Sequence, residues 1–282
     1  MKYYELKNEG ARILSKAGVE NAEYDALQLL LHAAELSKVQ YSVGQRDEAA
    51  EEAGKKYFKL IERRKMHVPL QYLIGNTGFM GYTFFCEEGV LIPRYDTEVL
   101  VDYALRKAPK DSLKVLDLCT GSGCIGISFY LERKRKGVTD AVTLADISDK
   151  ALALSKKNAE KLQAEVSFRK TDMYSGLQGE KYDIILSNPP YIPTKVIETL
   201  SEEVKDHEPI LALDGDSDGL KFYREIIQGA KEHLLDKGCI FFEIGHDQGE
   251  AVKQMLLLNG FRNVSVVKDL AGMDRVVHGE LQ

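Results

Sequence analysis

The chain has 282 residues, a formal net charge of −6, 44% hydrophobic and 29% charged residues, which is ordinary for a globular protein of one large or two modest domains. No stretch approaches the roughly 20 apolar residues of a membrane span, and the first residues lack the apolar core of a secretory signal. The acidic balance argues against tight, nonspecific binding to nucleic acid. We therefore expect a cytoplasmic protein that binds neither membranes nor nucleic acid directly.

The first part of the chain carries a helical pattern. Leucines and an alanine within residues 27–34 follow the i, i+3, i+4, i+7 spacing of one buried helix face. We expect helices within residues 3–36 and a further helix over residues 47–65, and no strand pattern precedes residue 70. The prediction is a small helical N-terminal domain over residues 1–68.

Residues 55–65 form a basic segment in which six lysine and arginine side chains accompany the single acidic residue Glu62. Such a run is usually a solvated helix face. The alternative is a docking surface for an anionic partner. Either interpretation places these charges at the surface.

A change of character follows between residues 75 and 92. Here four glycines (Gly75, Gly78, Gly81 and Gly89) separate short aromatic and aliphatic runs. Glycines at these intervals are typical of hairpins and loops. We therefore predict a hairpin or connector over residues 69–95, followed by a second domain over residues 96–282.

The rest of the chain alternates between strand-like and helix-like segments. The predicted strands lie at residues 114–118, 141–145, 166–168, 183–186 and 239–244. The predicted helices lie at residues 123–136, 149–162, 218–236 and 247–258. Such alternation predicts an α/β domain, a mostly parallel sheet with helices on both faces, whose ligands bind at the carboxyl ends of the strands.

A glycine-rich turn follows the first of these strands. It has neither the Gly-Lys-Ser/Thr of a phosphate-binding loop nor a complete Gly-x-Gly-x-x-Gly pattern. Glycines permit a sharp turn and a close approach of the backbone to a ligand. The candidate ligand-binding residues of this turn are Asp117, Cys119, Thr120, Gly121, Ser122 and Gly123.

Two acidic residues follow the next two strands. Asp146 lies 20 to 30 residues beyond the glycines, where a carboxylate accepts hydrogen bonds from the ribose hydroxyls of a nucleotide-like ligand; its neighbour Ile147 joins the candidate site. We assign the capping of the following helix to Ser148 rather than to Asp146. Asp172 and Met173 offer a carboxylate and an apolar side chain suited to the edge and face of an adenine.

The most specific motif is Ser187-Asn188-Pro189-Pro190-Tyr191, at the end of the fourth predicted strand. Two consecutive prolines fix the backbone φ angle and remove two donors, so the carbonyls of this segment are free acceptors. The Asn188 side chain adds another acceptor, and Tyr191 adds an aromatic surface. The combination suits a planar NH₂ group, whose two hydrogens are accepted while the ring packs on its face.

Three of these features carry a resemblance to a known family: the turn Asp117–Gly123, Asp146, and the segment Asn188–Tyr191. In this order and spacing they resemble the motifs of class I S-adenosylmethionine-dependent methyltransferases, and more specifically of the release-factor glutamine N5-methyltransferases. Further matching segments are Pro69–Gly75, Val90–Arg94, Thr97-Glu98, Glu243-Ile244-Gly245 with Gln248, and Asp274–Val277. The sequence departs from the family at Cys119, where glycine is usual, and at Tyr95-Asp96, where Pro-Glu is usual.

The resemblance implies a Rossmann-like fold and methyl transfer from S-adenosylmethionine, which leaves S-adenosylhomocysteine, to the glutamine of the Gly-Gly-Gln loop of peptide chain release factors. Asn188, Pro189 and Tyr191 are then the expected catalytic residues and substrate contacts, with Pro190 and Arg94 as further substrate contacts. Asn188 is also expected to contact the cofactor. The helical N-terminal domain is the expected docking site of the protein substrate.

Three alternatives remain at this level. An adenine-N6 methyltransferase of DNA or RNA presents a similar amine, although residues 67–282 carry a net acidic charge and such enzymes need a basic surface. A glutamine methyltransferase of a ribosomal protein uses the same chemistry. A third alternative is a cofactor-binding module without catalysis.

The cysteines (Cys86, Cys119, Cys124 and Cys239) have no Cys-x-x-Cys spacing and no clustered histidines, so no metal is expected.

Overall fold

The computed structural model describes all 282 residues and divides into two compact units. The first consists of Met1–Asn76 and Ser201–His207, and the second of Thr77–Leu200 and Glu208–Gln282. None of the helices combines the length and the apolarity that a bilayer span requires.

The helices are Tyr3–Lys16 (α1), Ala22–Ala34 (α2), Lys38–Gly44 (α3), Glu51–Lys65 (α4), Leu70–Ile74 (α5), Glu98–Lys107 (α6), Cys124–Arg135 (α7), Asp149–Leu162 (α8), Thr194–Ile197 (α9), Glu202–Lys205 (α10), Ile210–Leu213 (α11), Lys221–His233 (α12) and Gly249–Leu258 (α13). The strands are Asn76–Phe79 (β1), Tyr82–Phe85 (β2), Lys114–Leu118 (β3), Ala141–Asp146 (β4), Ser167–Lys170 (β5), Tyr182–Ser187 (β6), Leu234–Glu243 (β7), Phe261–Lys268 (β8) and Asp274–Leu281 (β9).

The first unit is helical, and its core is made by the apolar faces of α1, α2 and α4. Leu14, Leu29, Leu30, Tyr57 and Ile61 are fully buried there. The periodic leucines of α2 thus do what their spacing predicts. The predicted third helix began too early, since α4 starts at Glu51 and the chain before it forms the separate short helix α3.

One residue of the basic segment was wrongly placed at the surface. Arg64 is only 3% exposed, and its guanidinium donates to Asp25 Oδ2 at 2.7 Å and to the Val68 carbonyl at 3.2 Å. It also pairs with Glu203 of α10. A buried guanidinium requires such partners, so Arg64 ties α4 to α2 and to α10 within the first unit. Lys55, Lys56 and Lys59 are exposed.

The second unit contains a seven-stranded sheet in the order β5-β4-β3-β6-β7-β9-β8. Strands β3 to β7 pair in parallel, and β9 runs antiparallel to both β7 and β8. Val115 and Leu116 of β3 are buried in different apolar clusters, one on each face of the sheet. The predicted Rossmann-like α/β fold, with a mostly parallel sheet covered on both faces, is confirmed.

Within the predicted hairpin or connector of residues 69–95, β1 and β2 form a separate two-stranded sheet, whereas the segment before them forms the short helix α5. The sequence pattern did not indicate α6, β8 or β9. Strand β8 has one buried, four half-buried and three exposed residues, so its pattern is neither a continuous apolar run nor a clear alternation. It adds to the sheet through β9 rather than through a crossover helix.

Candidate active site

A cavity of about 300 Å³ opens at the carboxyl ends of β3, β4, β5 and β6, where a parallel sheet of this kind binds ligands. Its residues all belong to the second unit. They include Gly89, Val90, Leu91, Ile92, Pro93, Arg94, Thr97, Cys119, Thr120, Gly121, Ser122, Asp146, Ile147, Asp172, Met173, Asn188, Pro190, Pro209, Leu211, Ala212, Lys221 and Phe222.

The glycine-rich turn forms one wall of the cavity. Cys119 has a φ of 62° and Gly121 a φ of 55°, both in the left-handed region that favours glycine. This explains why glycine suits position 119 and shows that cysteine is accommodated there. Burial raises the pKa of the Cys119 thiol, so the side chain stays neutral and acts as an apolar surface.

Asp117 and Gly123 hold the turn from behind and do not line the cavity. Asp117 is fully buried, and its Oδ2 accepts hydrogen bonds from the Thr120 hydroxyl at 2.6 Å and from the Gly126 N–H at 2.9 Å. Gly123 has a φ of 81°, and a Cβ there would lie 2.8 Å from Ile127 Cδ1. Both residues therefore shape the turn.

Asp146 lies at the end of β4 with its carboxylate at the cavity. Its Oδ2 accepts the Gly121 N–H at 2.9 Å, and its Oδ1 accepts the Ser148 N–H at 2.9 Å. Burial raises the pKa of Asp146, whereas the N–H groups of Ser148, Gly121 and Ile147 favour its ionised form. The predicted cap is confirmed, because the Ser148 hydroxyl accepts the Ala151 N–H at the start of α8.

The next strand end brings Asp172 and Met173 to the cavity. Thr171 holds their turn: its hydroxyl donates to the Met173 carbonyl at 2.9 Å and accepts the Gly176 N–H at 2.8 Å. Asp172 is exposed and Met173 is half-buried. The turn thus presents one carboxylate and one apolar side chain to a ligand.

The Asn-Pro-Pro-Tyr motif follows β6. Asn188 and Pro190 line the cavity, whereas Pro189 and Tyr191 are not among its lining residues. The Asn188 side-chain nitrogen faces Thr97, whose hydroxyl oxygen lies 3.5 Å away. Ser187 anchors the motif, since its hydroxyl donates to the Leu118 carbonyl at 2.6 Å.

The chain beyond the motif is fixed by Gln248. Its Nε2 donates to the Tyr191 carbonyl at 2.9 Å and to the Gly219 carbonyl at 3.2 Å, while its Oε1 accepts the Gly245 N–H at 3.0 Å. A Cβ at Gly219 would lie 2.3 Å from the Tyr191 carbonyl oxygen. Glycine at position 219 therefore permits this close approach.

Arg94 lies at the cavity and pairs with Glu208. The Arg94 side chain is 41% exposed, whereas that of Glu208 is 1% exposed. No local pattern in the sequence indicates this partner, which lies 114 residues away along the chain. Nor does one indicate Pro209, Leu211 and Phe222, which line the cavity from the same part of the chain.

Two buried polar residues behind Asn188 were also missed as site residues. Thr97 is 2% exposed and Glu243 is 1% exposed. Burial raises the pKa of Glu243 to about 7, while Thr97, Arg275 and Asn188 favour its charged form. A charged residue at the carboxyl end of an apolar strand was the available signal for Glu243.

Comparison with known families gives two matches. The model of the "Methyltransferase small domain" matches residues 94–216, which include the glycine-rich turn, Asp146 and the Asn-Pro-Pro-Tyr motif. The model of the "PrmC N-terminal domain" matches residues 5–75.

Individual proteins show the same likeness over nearly the whole chain. The release factor glutamine methyltransferase of Clostridium botulinum is 40% identical, with 97% of each chain covered. That of Bacillus cereus is 37% identical over the full length of both chains. Among solved structures, a T. thermophilus 16S rRNA N2 G1207 methyltransferase in complex with AdoMet and guanosine has a TM-score of 0.52 at 15% identity, with 73% of this chain and 50% of that chain covered. This last likeness concerns the fold alone.

Proposed function

Since the chain belongs to the release factor glutamine methyltransferase family, we propose that it transfers a methyl group from S-adenosylmethionine to the side-chain amide nitrogen of a glutamine in a peptide chain release factor. The substrate glutamine is that of the Gly-Gly-Gln loop. The observation that carries the proposal is the position of Asn188, whose amide lines the cavity with its nitrogen turned toward buried Thr97.

The cavity fits S-adenosylmethionine. Each Asp146 oxygen accepts one backbone N–H and keeps further acceptor capacity, which the two ribose hydroxyls would use. Ile147 and Met173 offer apolar contacts to an adenine, and Asp172 offers an acceptor for its amino group. When bound, this cofactor supplies an electrophilic methyl group on a sulfonium.

Asn188 is the residue that acts on the substrate amide. Because its nitrogen is directed to Thr97, its Oδ1 is left to accept one N–H of the glutamine side chain, and we assign the second N–H to the Pro189 carbonyl. Positive charge develops on the amide nitrogen as the new C–N bond forms and the C–S bond breaks. Two fixed acceptors stabilise that charge and hold the nitrogen in line with the methyl group.

No side chain in this site needs to act as a general base. Burial raises the pKa of the Tyr191 phenol well above its usual range, so Tyr191 remains neutral. Although Tyr191 is not among the residues that line the cavity, we assign its ring to pack on the planar amide, since it follows Pro190 directly. Methylation first gives a cationic amide nitrogen that still carries both of its hydrogens. This cation is strongly acidic, so one proton leaves to water. S-adenosylhomocysteine is the second product.

The intact release factor should be a much better substrate than a short peptide of its loop. A glutamine side chain alone offers little surface, so remote contacts must position it, and binding energy from such contacts raises turnover. The helical first unit is our candidate for these contacts. Comparing kcat/KM for the two substrates tests this, and equal values would contradict it.

A further inference from the structure

The Asn188 side chain is backed by two buried polar residues that come from different parts of the chain. In the parallel pairing of β6 with β7, Ser187 lies opposite Phe242, so the next residues of the two segments, Asn188 and Glu243, lie side by side at the carboxyl ends of these strands. Thr97, just before α6, lies against both, because Asn188 Nδ2 donates to its hydroxyl oxygen and Thr97 stabilises the charged form of Glu243.

The hydroxyl of Thr97 gives this arrangement a direction. A hydroxyl carries a single hydrogen, and an ionised carboxylate only accepts. If Thr97 donates its hydrogen to Glu243, its oxygen can only accept from Asn188, which must then present its NH₂ group. Glu243 Oε2 has no hydrogen-bond partner, and a buried carboxylate in that state strongly favours any donor within reach.

We propose that Thr97 and Glu243 are positioning residues that hold the Asn188 amide in one of its two orientations, with the oxygen toward the substrate. The inference rests on the proposed function. In the opposite orientation Asn188 would present NH₂ to the NH₂ of the substrate glutamine, two donors with no acceptor between them. We call this chain of hydrogen bonds, from Asn188 through Thr97 to Glu243, the relay. It makes the site selective for a substrate amide nitrogen that donates hydrogen bonds.

The charges around Glu243 determine when the relay works. Arg275 favours the carboxylate, whereas Asp96 opposes it, and Arg275 also pairs with Asp96 at 3.2 Å and with Asp269 at 3.1 Å. Tyr191 and Tyr223 lie near and stay neutral, because burial raises the pKa of each phenol. Once protonated, Glu243 can donate to Thr97, and the direction of the relay is lost. Methyl transfer should therefore fall as the pH drops through about 7, the pKa of Glu243.

The first test compares Thr97→Val with Thr97→Ser in the full-length protein. Valine keeps the shape and removes the hydroxyl, whereas serine keeps the hydroxyl. Single-turnover methylation of intact release factor at saturating cofactor should fall about tenfold or more in Thr97→Val and stay close to the wild-type rate in Thr97→Ser. Equal rates for the wild type and Thr97→Val would overturn the proposal.

A double-mutant cycle separates positioning from a general structural role. In the Asn188→Ala background, Thr97→Val should cause no further loss, because the amide that it orients is gone. An equal loss in both backgrounds would overturn the proposal. The acid limb of the pH profile should also disappear in Glu243→Gln, which cannot titrate, and an unchanged limb would contradict the role of Glu243.

These outcomes are distinct from a failure of the proposed function. If the wild type does not methylate release factor, the proposed function is wrong. If the wild type is active and Thr97→Val is equally active, the proposed function is supported and only the proposed positioning role is wrong.

Discussion

The Asp146 carboxylate accepts a hydrogen bond at 2.9 Å from the backbone N–H of Gly121, a residue 25 positions earlier in the chain. This bond joins the end of β4 to the glycine-rich turn that follows β3. One side chain therefore both fixes the turn and faces the cavity, so the shape of the proposed cofactor site and the proposed ribose contact depend on the same carboxylate.

Asp146→Ala should weaken S-adenosylmethionine binding. Loss of hydrogen bonds to a charged acceptor costs about 1.5–3 kcal/mol, or roughly ten- to a hundredfold in Kd. Calorimetric titration measures the effect. Asp149→Ala is the matched control, because Asp149 lies outside the cavity in an exposed pair with Lys170 and should leave Kd unchanged. If Asp146→Ala bound the cofactor with wild-type affinity, Asp146 would have only a structural role, through its hydrogen bonds with Gly121 and Ser148.

Asn188→Ala should lower turnover by about a hundredfold, as the loss of one positioned charge-stabilising group does. Cofactor affinity should change far less, since we propose that the side chain acts on the substrate amide. Single-turnover rates at saturating cofactor, beside an equilibrium Kd, separate the two effects. Asn259→Ala, at the end of α13 and outside the cavity, is the control. Normal turnover combined with poor cofactor binding would reassign Asn188 to the cofactor.

Arg94→Met should reduce the free energy of unfolding and raise KM for the release factor. It removes the cationic partner of the buried Glu208 carboxylate. The loss should be smaller than the roughly 3–5 kcal/mol of a fully buried broken pair, because the Arg94 side chain is 41% exposed and water screens it. Arg106→Met, whose partner Asp102 is exposed, should have almost no effect in urea titrations. Equal losses in the two variants would contradict this account.

Because of the buried Asp117 carboxyl group, the free energy of unfolding should decrease as the pH rises from about 4 to about 7. Burial raises its folded-state pKa from 3.8 to about 7, so between these values the folded protein holds a proton that the unfolded chain has lost. The stabilisation is complete below the lower value and disappears as the pH passes the higher one. Asp117→Asn should flatten this part of the pH–stability profile. An unchanged slope would show that Asp117 titrates normally.

The sequence predicted the part of the site that lies on strand ends. The glycine-rich turn, Asp146, the Asp172 turn and Asn188 each follow a short apolar run, and the parallel sheet brings those ends to one edge. Eight further residues of the predicted site also line the cavity: Cys119, Thr120, Gly121, Ser122, Ile147, Met173, Pro190 and Arg94.

The remaining walls depend on contacts between distant segments, which local patterns do not contain. Glu208 lies 114 residues from Arg94, and Thr97 lies 91 residues from Asn188. Arg64 illustrates the same point in the first unit: its neighbours in the sequence indicate a solvated basic face, whereas Asp25 and Glu203 make burial acceptable. Predicting these positions requires knowing which elements pack together.

The central claim is that the methyl group is transferred to the amide nitrogen of a release-factor glutamine. Its most direct test is to incubate the full-length protein with S-adenosylmethionine and intact release factor and to locate the label by fragmentation mass spectrometry, with Asn188→Ala as the slow control over the same short time. The account predicts a single methyl group on the side-chain nitrogen of the Gly-Gly-Gln glutamine, strongly reduced in the control. Label on a ribosomal protein or on adenine in nucleic acid, with none on the release factor, would contradict it.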